Sequence, residues 1–525
     1  MKLAGRGCEW LNAERALIYL LMLSLSVKVL LLFSNEIINV DGVRYIEAAR
    51  HFAEGNFREG LIYERMPFYS LLMVVCHFFV PDWELAGQLI SLLSFVFFLV
   101  PFYLLTRDIF DRKAAFWAGL ALGLSPMLNH FSLQIIRDPI FLFFLGWSLY
   151  FFWRAVKKPD SLFFILASVS AVFSLFCRIE GIFLFAVYLL MLLVLAIRNS
   201  PDRRSFIKGM AHFVLVPLGL GLMLTVALML GSDVDVASFS RLGEPAERLQ
   251  SVFSGDFLAK YRSLYAQIKS FKNAAGSWET GSFAETSRHY LWLIYLLSVA
   301  DRIAKNLFLF FLLPLLVGFN KRPCLHRGHW LILLTAGTYF LVAYYFLLTH
   351  DFIAKRYVLV PTVLLLPWVG VGLEKMWGRL SECRWRKTAI ISFLLIFCAA
   401  PAYESVDDFT GPGKENVIIE AGRWLVKQPD LQKALIACSD PRMRLYSSLE
   451  MNFLRKTEKY HVAKDFRKME KVAFDHAADL LVIETSKRKR RQMAEFKHFT
   501  LLKEFVGTDS DVLIYSRNNK RPASG

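Results

Sequence analysis

Charged residues inside or beside long apolar runs are the strongest candidates for chemistry in this sequence. Arg137 and Asp138 precede Pro139 within one apolar stretch, and Arg178 and Glu180 lie in a short gap between two others. Placing an ionised group at the centre of a membrane span costs about 2.5–3.5 kcal/mol, so such groups are functional candidates by default. Ion pairs that hold helices together would explain both motifs as well.

Three further motifs carry charge close to apolar runs. Asp41 opens a helical pattern, and a helix cap is the simplest reason for it. Glu64 and Arg65 stand just before Pro67, where an ordinary surface ion pair explains them. The segment 350–356 precedes a late apolar run, and its Lys and Arg have the alternative role of anchors whose charges reach the membrane surface.

The carboxylates and cations of these motifs together suit an anionic lipid substrate. Arginine and lysine hold a phosphate by charge-assisted hydrogen bonds, and a carboxylate deprotonates an acceptor hydroxyl or binds a divalent metal ion. In the topology that the loop charges predict, eight of these residues lie near one membrane surface, namely Asp41, Glu64, Arg65, Asp138, Arg178, Glu180, Lys355 and Arg356. Their convergence favours a function over separate structural roles.

The elements that must position these residues are apolar runs of membrane-span length. Of the 525 residues, 55% are hydrophobic and 20% are charged, against roughly 45–50% and 25% in soluble domains. We predict about eleven transmembrane helices, over residues 16–33, 84–105, 114–128, 131–152, 162–176, 181–197, 206–230, 303–319, 330–348, 357–376 and 389–402. The seven cysteines form no CxxC pair, so neither a disulfide framework nor a zinc site is indicated.

Basic residues in alternate gaps orient these runs. Short loops rich in Lys and Arg stay in the cytoplasm, which places the gaps 107–113, 154–158, 198–204, 321–327 and 375–387 inside. The net charge of +17 therefore reflects topology, and nucleic acid is not an expected partner. The N-terminus is predicted inside, the loops 35–83 and 231–302 outside, and the apolar piece 67–80 along the membrane surface.

The pattern changes after residue 403 to short helix and strand signals. A helix over 417–427 and strands over 434–438, 480–484 and 512–515 are predicted. We therefore predict an α-helical polytopic membrane domain over 1–403 and a small extracytoplasmic α/β domain over 404–525. The basic run 487–491 is either a solvated face or a contact with anionic lipid headgroups.

Several of these motifs resemble the GT-C superfamily of membrane glycosyltransferases. The similarity covers Asp41-Gly-Val-Arg-Tyr45, Glu64-Arg-Met-Pro67, Leu105-Thr-Arg-Asp-Ile-Phe-Asp-Arg112, Leu124-Ser-Pro126 and Lys355-Arg-Tyr-Val-Leu-Val-Pro361. The similarity is greatest to bacterial glycosyltransferases of the family 39 and family 83 type, which are related to protein O-mannosyltransferases and aminoarabinose transferases. The resemblance implies a GT-C-like fold of about 11 transmembrane helices.

The resemblance also implies site roles. Asp41 would be the catalytic base, Glu64 would lie near the acceptor or a divalent metal ion, and Arg65 would replace a commoner lysine at the carrier phosphate. Asp138 would be the second acidic residue of the family, although Arg137 beside it departs from the usual pattern. We further assign carrier-phosphate contacts to Arg178, Lys355 and Arg356, and substrate contacts to Tyr45, Glu180, His350 and Asp351.

The expected function is inverting transfer of a monosaccharide from a polyprenyl-phosphate carrier to a hydroxyl of a lipid, glycan or protein. The expected place is the external face of a bacterial inner membrane, with the C-terminus outside. A transporter or flippase of lipid-linked sugars would also need charges within the membrane. No inverted repeat is evident, however, and the large external loop and domain fit catalysis better. The third hypothesis is an assembly protein with a degenerate active site.

Overall fold

The structure is a computed structural model that describes residues 13–33, 38–198, 201–231, 250–274, 276–320, 326–382, 417–447, 451–454, 465–490, 496–507 and 510–518, with isolated positions between 388 and 405. The chain divides into two compact units. The first unit comprises Met1–Val29 and Ala48–Ser405, and the second comprises Leu30–Glu47 and Val406–Gly525. The sequence pattern predicts a domain boundary between residues 403 and 404. It does not predict that the early segment Leu30–Glu47 belongs to the second unit.

The first unit is a multi-pass helical membrane domain. Within the described residues, seven helices are long and apolar enough to cross a membrane: Arg15–Leu32, Trp83–Ile109, Asp138–Lys157, Ile179–Ile197, Arg203–Met223, Arg327–His350 and Lys355–Leu380. The helices Leu291–Asn306 and Phe310–Phe319 form an eighth span if a pair bent by 107° crosses as one. Shorter helices are Val40–Ala53, Phe57–Tyr63, Phe68–His77, Arg112–Leu124, Pro126–Ser132, Ser161–Cys177, Ala259–Ala274 and Trp278–His289.

Several predicted spans are shorter in the structure than in the sequence pattern. The run 114–128 breaks at Ser125, where a second helix starts with Pro126. The long helix predicted over 131–152 begins only at Asp138. Pro139 favours a helix start here, because the first turn of a helix does not use the backbone N–H that proline lacks. The surface piece 67–80 forms the ten-residue apolar helix Phe68–His77. The run 389–402 lies largely outside the described residues, so the total of about eleven stays a prediction.

Aspartate caps begin several of these helices. The side chain of Asp82 accepts a hydrogen bond from the Leu85 N–H at 2.9 Å, and Asp111 accepts one from Ala114 at 2.8 Å. Each carboxylate satisfies a backbone donor that the first turn leaves without a helical partner. These caps fix where the Trp83–Ile109 and Arg112–Leu124 helices begin.

Two late helices cross at very short range. A Cβ atom on Gly372 would lie 1.8 Å from the carbonyl oxygen of Pro314, and one on Gly318 would lie 2.0 Å from that of Trp368. Only a hydrogen atom fits at either position, so the backbones of helices Phe308–Phe319 and Leu359–Glu382 approach directly. Small residues at a crossing are the usual means of close packing between membrane helices.

A cation is buried in the first span. Lys28 has no exposed surface, and its Nζ donates to Ser24 Oγ at 3.1 Å and to Asn129 Oδ1 at 2.8 Å. The ammonium group also lies 4.8 Å from the centre of the Phe95 ring. Hydrogen bonds and a ring face thus replace the water that the charge would otherwise need.

The second unit is built on a five-stranded mixed sheet with the strand order β2-β1-β3-β5-β4. The strands are Leu435–Cys438 (β1), Asn452–Phe453 (β2), Leu480–Ser486 (β3), Phe499–Val506 (β4) and Ser510–Arg517 (β5). β1 pairs in parallel with β2 and β3, whereas β5 pairs antiparallel with β3 and β4. The helices of this unit are Val417–Val426, Arg442–Ser447, Phe466–Asp475 and Lys487–Arg490.

The predicted small α/β domain is confirmed by this sheet. The predicted helix 417–427 and the strands 434–438, 480–484 and 512–515 correspond to the first helix and to β1, β3 and β5. β2 and β4 were not indicated by the sequence. In the basic run, Arg490 contacts Glu504 at 2.5 Å and Asp511 at 2.8 Å, so this residue is held by the sheet.

The early segment contributes a buried ion pair to the second unit. Arg444 Nε lies 2.5 Å from Glu47 Oε1, and both side chains are less than a tenth exposed. The hydroxyl of Tyr446 also accepts a hydrogen bond from the Ile38 N–H at 3.0 Å. These contacts explain why the segment belongs to this unit although nearly 400 residues separate it from the sheet.

Candidate active site

A buried ionic triad forms the centre of the candidate site in the first unit. The guanidinium of Arg178 contacts Asp138 through Nη1, and it donates to Glu180 through Nη2 at 3.1 Å and through Nε at 3.3 Å. Asp138 is 4% exposed and Arg178 is 8% exposed. One cation thus orients two carboxylates that enter from different helices.

The local backbone explains how the three groups meet. Asp138 lies in the first turn of its helix, Arg178 ends the Ser161–Cys177 helix, and Glu180 lies in the short turn that follows. A Cβ atom on Gly181 would lie 2.5 Å from the backbone nitrogen of Leu175, so this tight turn requires glycine. The turn therefore places the side chains of Arg178 and Glu180 within hydrogen-bonding distance of each other.

A tyrosine from a distant helix holds the turn in place. The hydroxyl of Tyr339 donates to the carbonyl oxygen of Glu180 at 2.9 Å. This residue is buried in the middle of the Arg327–His350 helix. The hydrogen bond joins that helix to the triad.

The charges of the triad stabilise one another. Burial opposes the charged form of Arg178, but the carboxylates of Asp138 and Glu180 outweigh that cost and hold the pKa of Arg178 well above its ordinary value. The three groups carry a net charge of −1 when all are ionised. Arg356 lines the same cavity, so the formal charges of the four groups cancel.

A second ion pair lies next to the triad in sequence. Arg137 Nη1 is 3.4 Å from Glu64 Oε1, and the same oxygen accepts the Met66 N–H at 3.0 Å. Glu64 is 3% exposed, whereas Arg65 is exposed. Because Arg137 precedes Asp138 directly, the pair brings Glu64 to the same end of the Asp138–Lys157 helix.

A small cavity opens beside the triad. Its charged wall consists of Asp138, Arg178, Glu180 and Arg356, and its apolar wall includes Leu142, Val342, Ala343, Leu359 and Val360. Arg356 is half-buried and lies 5.5 Å from the Tyr357 ring, which also faces Arg178 at 5.9 Å. The volume of about 30 Å³ holds a water molecule or two but not a sugar.

The remaining predicted residues of the first unit lie near the end of the Arg327–His350 helix. His350 stacks on Phe346, a cavity residue, with 4.0 Å between ring centres. Asp351 ends the helix in a left-handed conformation, with φ of 60°, and accepts a hydrogen bond from the Tyr295 hydroxyl at 2.8 Å. Lys355 is exposed, and its carbonyl oxygen accepts from Asn306 at 2.8 Å.

Asp41 and Tyr45 belong to the second unit. Asp41 is the second residue of the Val40–Ala53 helix and is half-buried, and Tyr45 is buried. A carboxylate in the first turn suits the positive end of the helix dipole, so the local structure alone accounts for an acidic residue here. Its catalytic role stays a prediction.

The structure unites part of the predicted set and adds to it. Glu64, Asp138, Arg178, Glu180 and Arg356 lie around one cavity or its adjoining ion pair. Arg137, Tyr339 and Tyr357 are site residues that the sequence reasoning did not assign. The sequence could have indicated Arg137, because it is a charged residue inside an apolar run. It gave no indication that Tyr339 belongs to the site.

The predicted metal role of Glu64 can be compared with the acidic, histidine and cysteine side chains around it. Within the described part of the chain, no three His, Cys, Asp or Glu side chains are placed to share a metal ion. Glu64 is already engaged by Met66 and Arg137. Its metal role therefore stays a prediction.

Part of the chain matches a known protein family. A family model described as dolichyl-phosphate-mannose-protein mannosyltransferase matches residues 66–228, a range that includes the triad. A search of curated proteins gave no match.

Three solved structures are similar over most of the chain. ArnT from Cupriavidus metallidurans bound to undecaprenyl phosphate has a TM-score of 0.54 and 12% identity, covering 95% of this chain and 97% of that one. The Archaeoglobus fulgidus oligosaccharyltransferase in the apo form has a TM-score of 0.56 and 12% identity, covering 91% and 70%. AglB from Archaeoglobus fulgidus with an inhibitory peptide and a dolichol-phosphate has a TM-score of 0.52 and 11% identity, covering 90% and 69%.

The fold is thus that of a multi-pass membrane protein of the GT-C type. At these identities the similarity establishes the fold alone. The resemblance to the GT-C superfamily of membrane glycosyltransferases is confirmed by the family match and the structural likeness together.

Proposed function

We propose that the protein is a glycosyltransferase that moves a sugar from a polyprenyl-phosphate carrier to an acceptor hydroxyl at the external face of a bacterial inner membrane. The observation that carries the proposal is the cavity where the triad meets Arg356 beside an apolar wall. Fixed charges next to apolar side chains suit a substrate with a charged headgroup on a hydrocarbon chain. ArnT and AglB, which share the fold, are solved with such carriers, undecaprenyl phosphate and dolichol-phosphate respectively.

Arg356 is the best candidate for the carrier phosphate. Arg178 already uses both sides of its guanidinium on carboxylates, so its role is to position Asp138 and Glu180. Arg356 lines the cavity, and Lys355 beside it is exposed. During transfer the phosphodiester becomes a phosphomonoester and gains negative charge, which a nearby guanidinium stabilises.

The reaction needs a base for the acceptor. The acceptor oxygen attacks the anomeric carbon, the bond between that carbon and the phosphate oxygen breaks, and the carrier phosphate leaves with the electron pair. The acceptor proton passes to a carboxylate. We assign this role to Asp41, the carboxylate for which the resemblance to the GT-C superfamily implies it.

Donor binding must widen the cavity. A volume of about 30 Å³ excludes a sugar phosphate. The short turn Lys355–Val358 carries both Arg356 and Tyr357, so we expect this wall to move outward as the headgroup enters. The guanidinium of Arg356 then moves together with the phosphate that it binds.

The proposal is tested with purified protein in lipid nanodiscs and radiolabelled polyprenyl-phosphate sugars. Acceptors are supplied as lipid A, released envelope glycan and peptide, and both labelled product and free carrier phosphate are measured. The parent should release carrier phosphate in step with product, and Arg356→Ala should form both more slowly at donor concentrations below its raised KM. The matched control is Lys113→Ala, which removes an exposed cation 4.0 Å from Glu374 and should leave transfer unchanged. Movement of the donor across proteoliposomes without any release of carrier phosphate would indicate a transporter instead.

A further inference from the structure

A polar cleft lies in the loop that the charge pattern predicts to be external. The helices Ala259–Ala274 and Trp278–His289 pair as a hairpin, joined by the Lys272–Glu285 ion pair at 2.9 Å. Between them is an open cleft with a volume of about 280 Å³. It is lined by Tyr265, Glu285, Thr286, Arg288, His289 and Tyr290.

Several of the lining groups contact one another. The guanidinium carbon of Arg288 lies 5.2 Å from the centre of the Tyr265 ring, and the His289 ring meets Tyr290 edge to face at 4.9 Å. Glu285 pairs with Lys272, and its side chain is 55% exposed. Aromatic rings and ionic groups therefore line the cleft together.

This chemistry fits a sugar ring better than a lipid or a peptide core. The C–H faces of a sugar pack on the electron-rich face of an aromatic ring, and its hydroxyls bond to carboxylates, guanidinium groups and tyrosine hydroxyls. The side chains on this hairpin that suit lipid, Trp278 and Phe283, are 82% and 73% exposed and lie outside the cleft lining.

The same segment contacts the wall of the cavity. Phe257 stacks on Tyr345 with 5.6 Å between ring centres, and Ser251 Oγ lies 3.2 Å from the Tyr345 hydroxyl. Tyr345 lines the cavity beside the triad. Phe257 lies in the short turn Asp256–Leu258 that leads directly into the Ala259–Ala274 helix, so the contact with the cavity wall and the cleft residue Tyr265 belong to one continuous segment.

We propose that the cleft binds a sugar unit of an extended glycan acceptor, at a distance from the hydroxyl that reacts. The inference rests on the proposed transfer at the cavity and narrows the acceptor class from lipid, glycan or protein to an oligosaccharide. The tyrosine side chains of the hairpin contribute binding free energy that a monosaccharide acceptor cannot use.

Binding is measured first, because it needs no catalysis. The full-length protein in nanodiscs is titrated with size-fractionated oligosaccharides released from the producing cell's envelope by mild acid, and with methyl glycosides of their component sugars. Saturation-transfer NMR reports the contacts. Tyr265→Ala should weaken oligosaccharide binding about tenfold, since it removes a ring face and the partner of Arg288. Tyr265→Phe keeps the ring and should bind within about twofold of the parent.

Two controls separate the cleft from general effects. Phe283→Ala removes an exposed aromatic residue from the same hairpin and should leave oligosaccharide binding unchanged. In the transfer assay, Tyr265→Ala should raise the KM for oligosaccharide acceptors about tenfold. The KM for the donor, the kcat and the use of methyl glycoside acceptors should not change.

Three outcomes would overturn the assignment: no oligosaccharide binding by the parent, equal binding by Tyr265→Ala, or Tyr265-dependent binding of a peptide or of anionic phospholipid vesicles instead. Oligosaccharide binding through Tyr265 without any transfer would refute the proposed function while retaining the cleft as a sugar site.

Discussion

Replacing Arg178 with methionine should destabilise the membrane unit severely. The substitution removes the only cation of a triad whose two carboxylates come from separate elements. Asp138 is 4% exposed, so water cannot solvate the charge that is left behind. Breaking a buried ion pair in this way costs about 3–5 kcal/mol, which lowers the ratio of folded to unfolded protein by a hundredfold or more.

The assay is equilibrium unfolding in mixed detergent micelles, followed by tryptophan fluorescence. Arg178→Lys should fall between the parent and Arg178→Met, because an ammonium group keeps the charge but cannot bridge both carboxylates as the planar guanidinium does. The double variant Arg178→Met/Asp138→Asn should recover part of the loss, since it removes one unpaired charge.

A surface pair provides the reference for this experiment. Lys113 lies 4.0 Å from Glu374 and its side chain is 66% exposed, so Lys113→Met should cost less than about 1 kcal/mol. A loss in Arg178→Met no larger than that of Lys113→Met would refute the view that the triad is a structural ionic centre. A double variant less stable than Arg178→Met would argue against charge burial as the cause.

Four other predictions concern the site, the packing and the topology. Arg356→Ala should raise the donor KM about 10- to 100-fold and Arg356→Lys less, as charge-assisted hydrogen bonds contribute about 1.5–3 kcal/mol; an unchanged donor KM would exclude Arg356 from the phosphate site. Asp41→Asn should lower kcat about 10²–10⁴-fold with normal expression and donor binding, and activity within about threefold of the parent would return Asp41 to a purely structural role. Gly372→Ala should lower the unfolding free energy by at least about 1–3 kcal/mol, because its Cβ would overlap the Pro314 carbonyl, whereas Gly337→Ala, with open space at its Cβ, should be tolerated. A C-terminal alkaline phosphatase fusion should be active and a fluorescent protein fusion dark, and the reverse result would make the predicted orientation of the second unit wrong.

The sequence reveals the site residues better than it reveals their partners. Asp138 and Arg178 stand out because each is a charge beside apolar residues, but they lie 40 positions apart and nothing local indicates that they meet. Pairing of this kind depends on which helices pack together. The hydrogen bond from Tyr339 is invisible for the same reason, since a tyrosine in an apolar span is unremarkable until its neighbour is known.

Helix length limited the prediction of spans. Apolar runs show where lipid or protein contacts occur, but a run such as 114–128 holds two helices that break at Ser125. Hydropathy is insensitive to such a break, because both pieces are apolar. Pro126 was the local signal, since proline favours the first turn of a new helix.

The missed strand β4 has an irregular pattern for a physical reason. Its residues Leu501 and Leu502 are both exposed, and the register with β5 shifts between Leu501 and Lys503. A bulge of this kind interrupts the alternation of inward and outward side chains on which strand prediction relies. β3 and β5 lie inside the sheet and bury apolar runs, which makes them easier to predict.

The buried ammonium of Lys28 has a consequence for the order in which the protein is made. Its partner Asn129 follows 101 residues later, so the first span is synthesised when only Ser24, of the two groups that accept hydrogen bonds from its cation, exists. Until the Pro126–Ser132 helix arrives, Lys28 must reach water at the membrane surface or bear a cost of about 2.5–3.5 kcal/mol in lipid. The packing of Asn129 against the first helix therefore relieves a cost that the newly made span bears alone. A chain truncated before residue 129 would leave this cation without that partner.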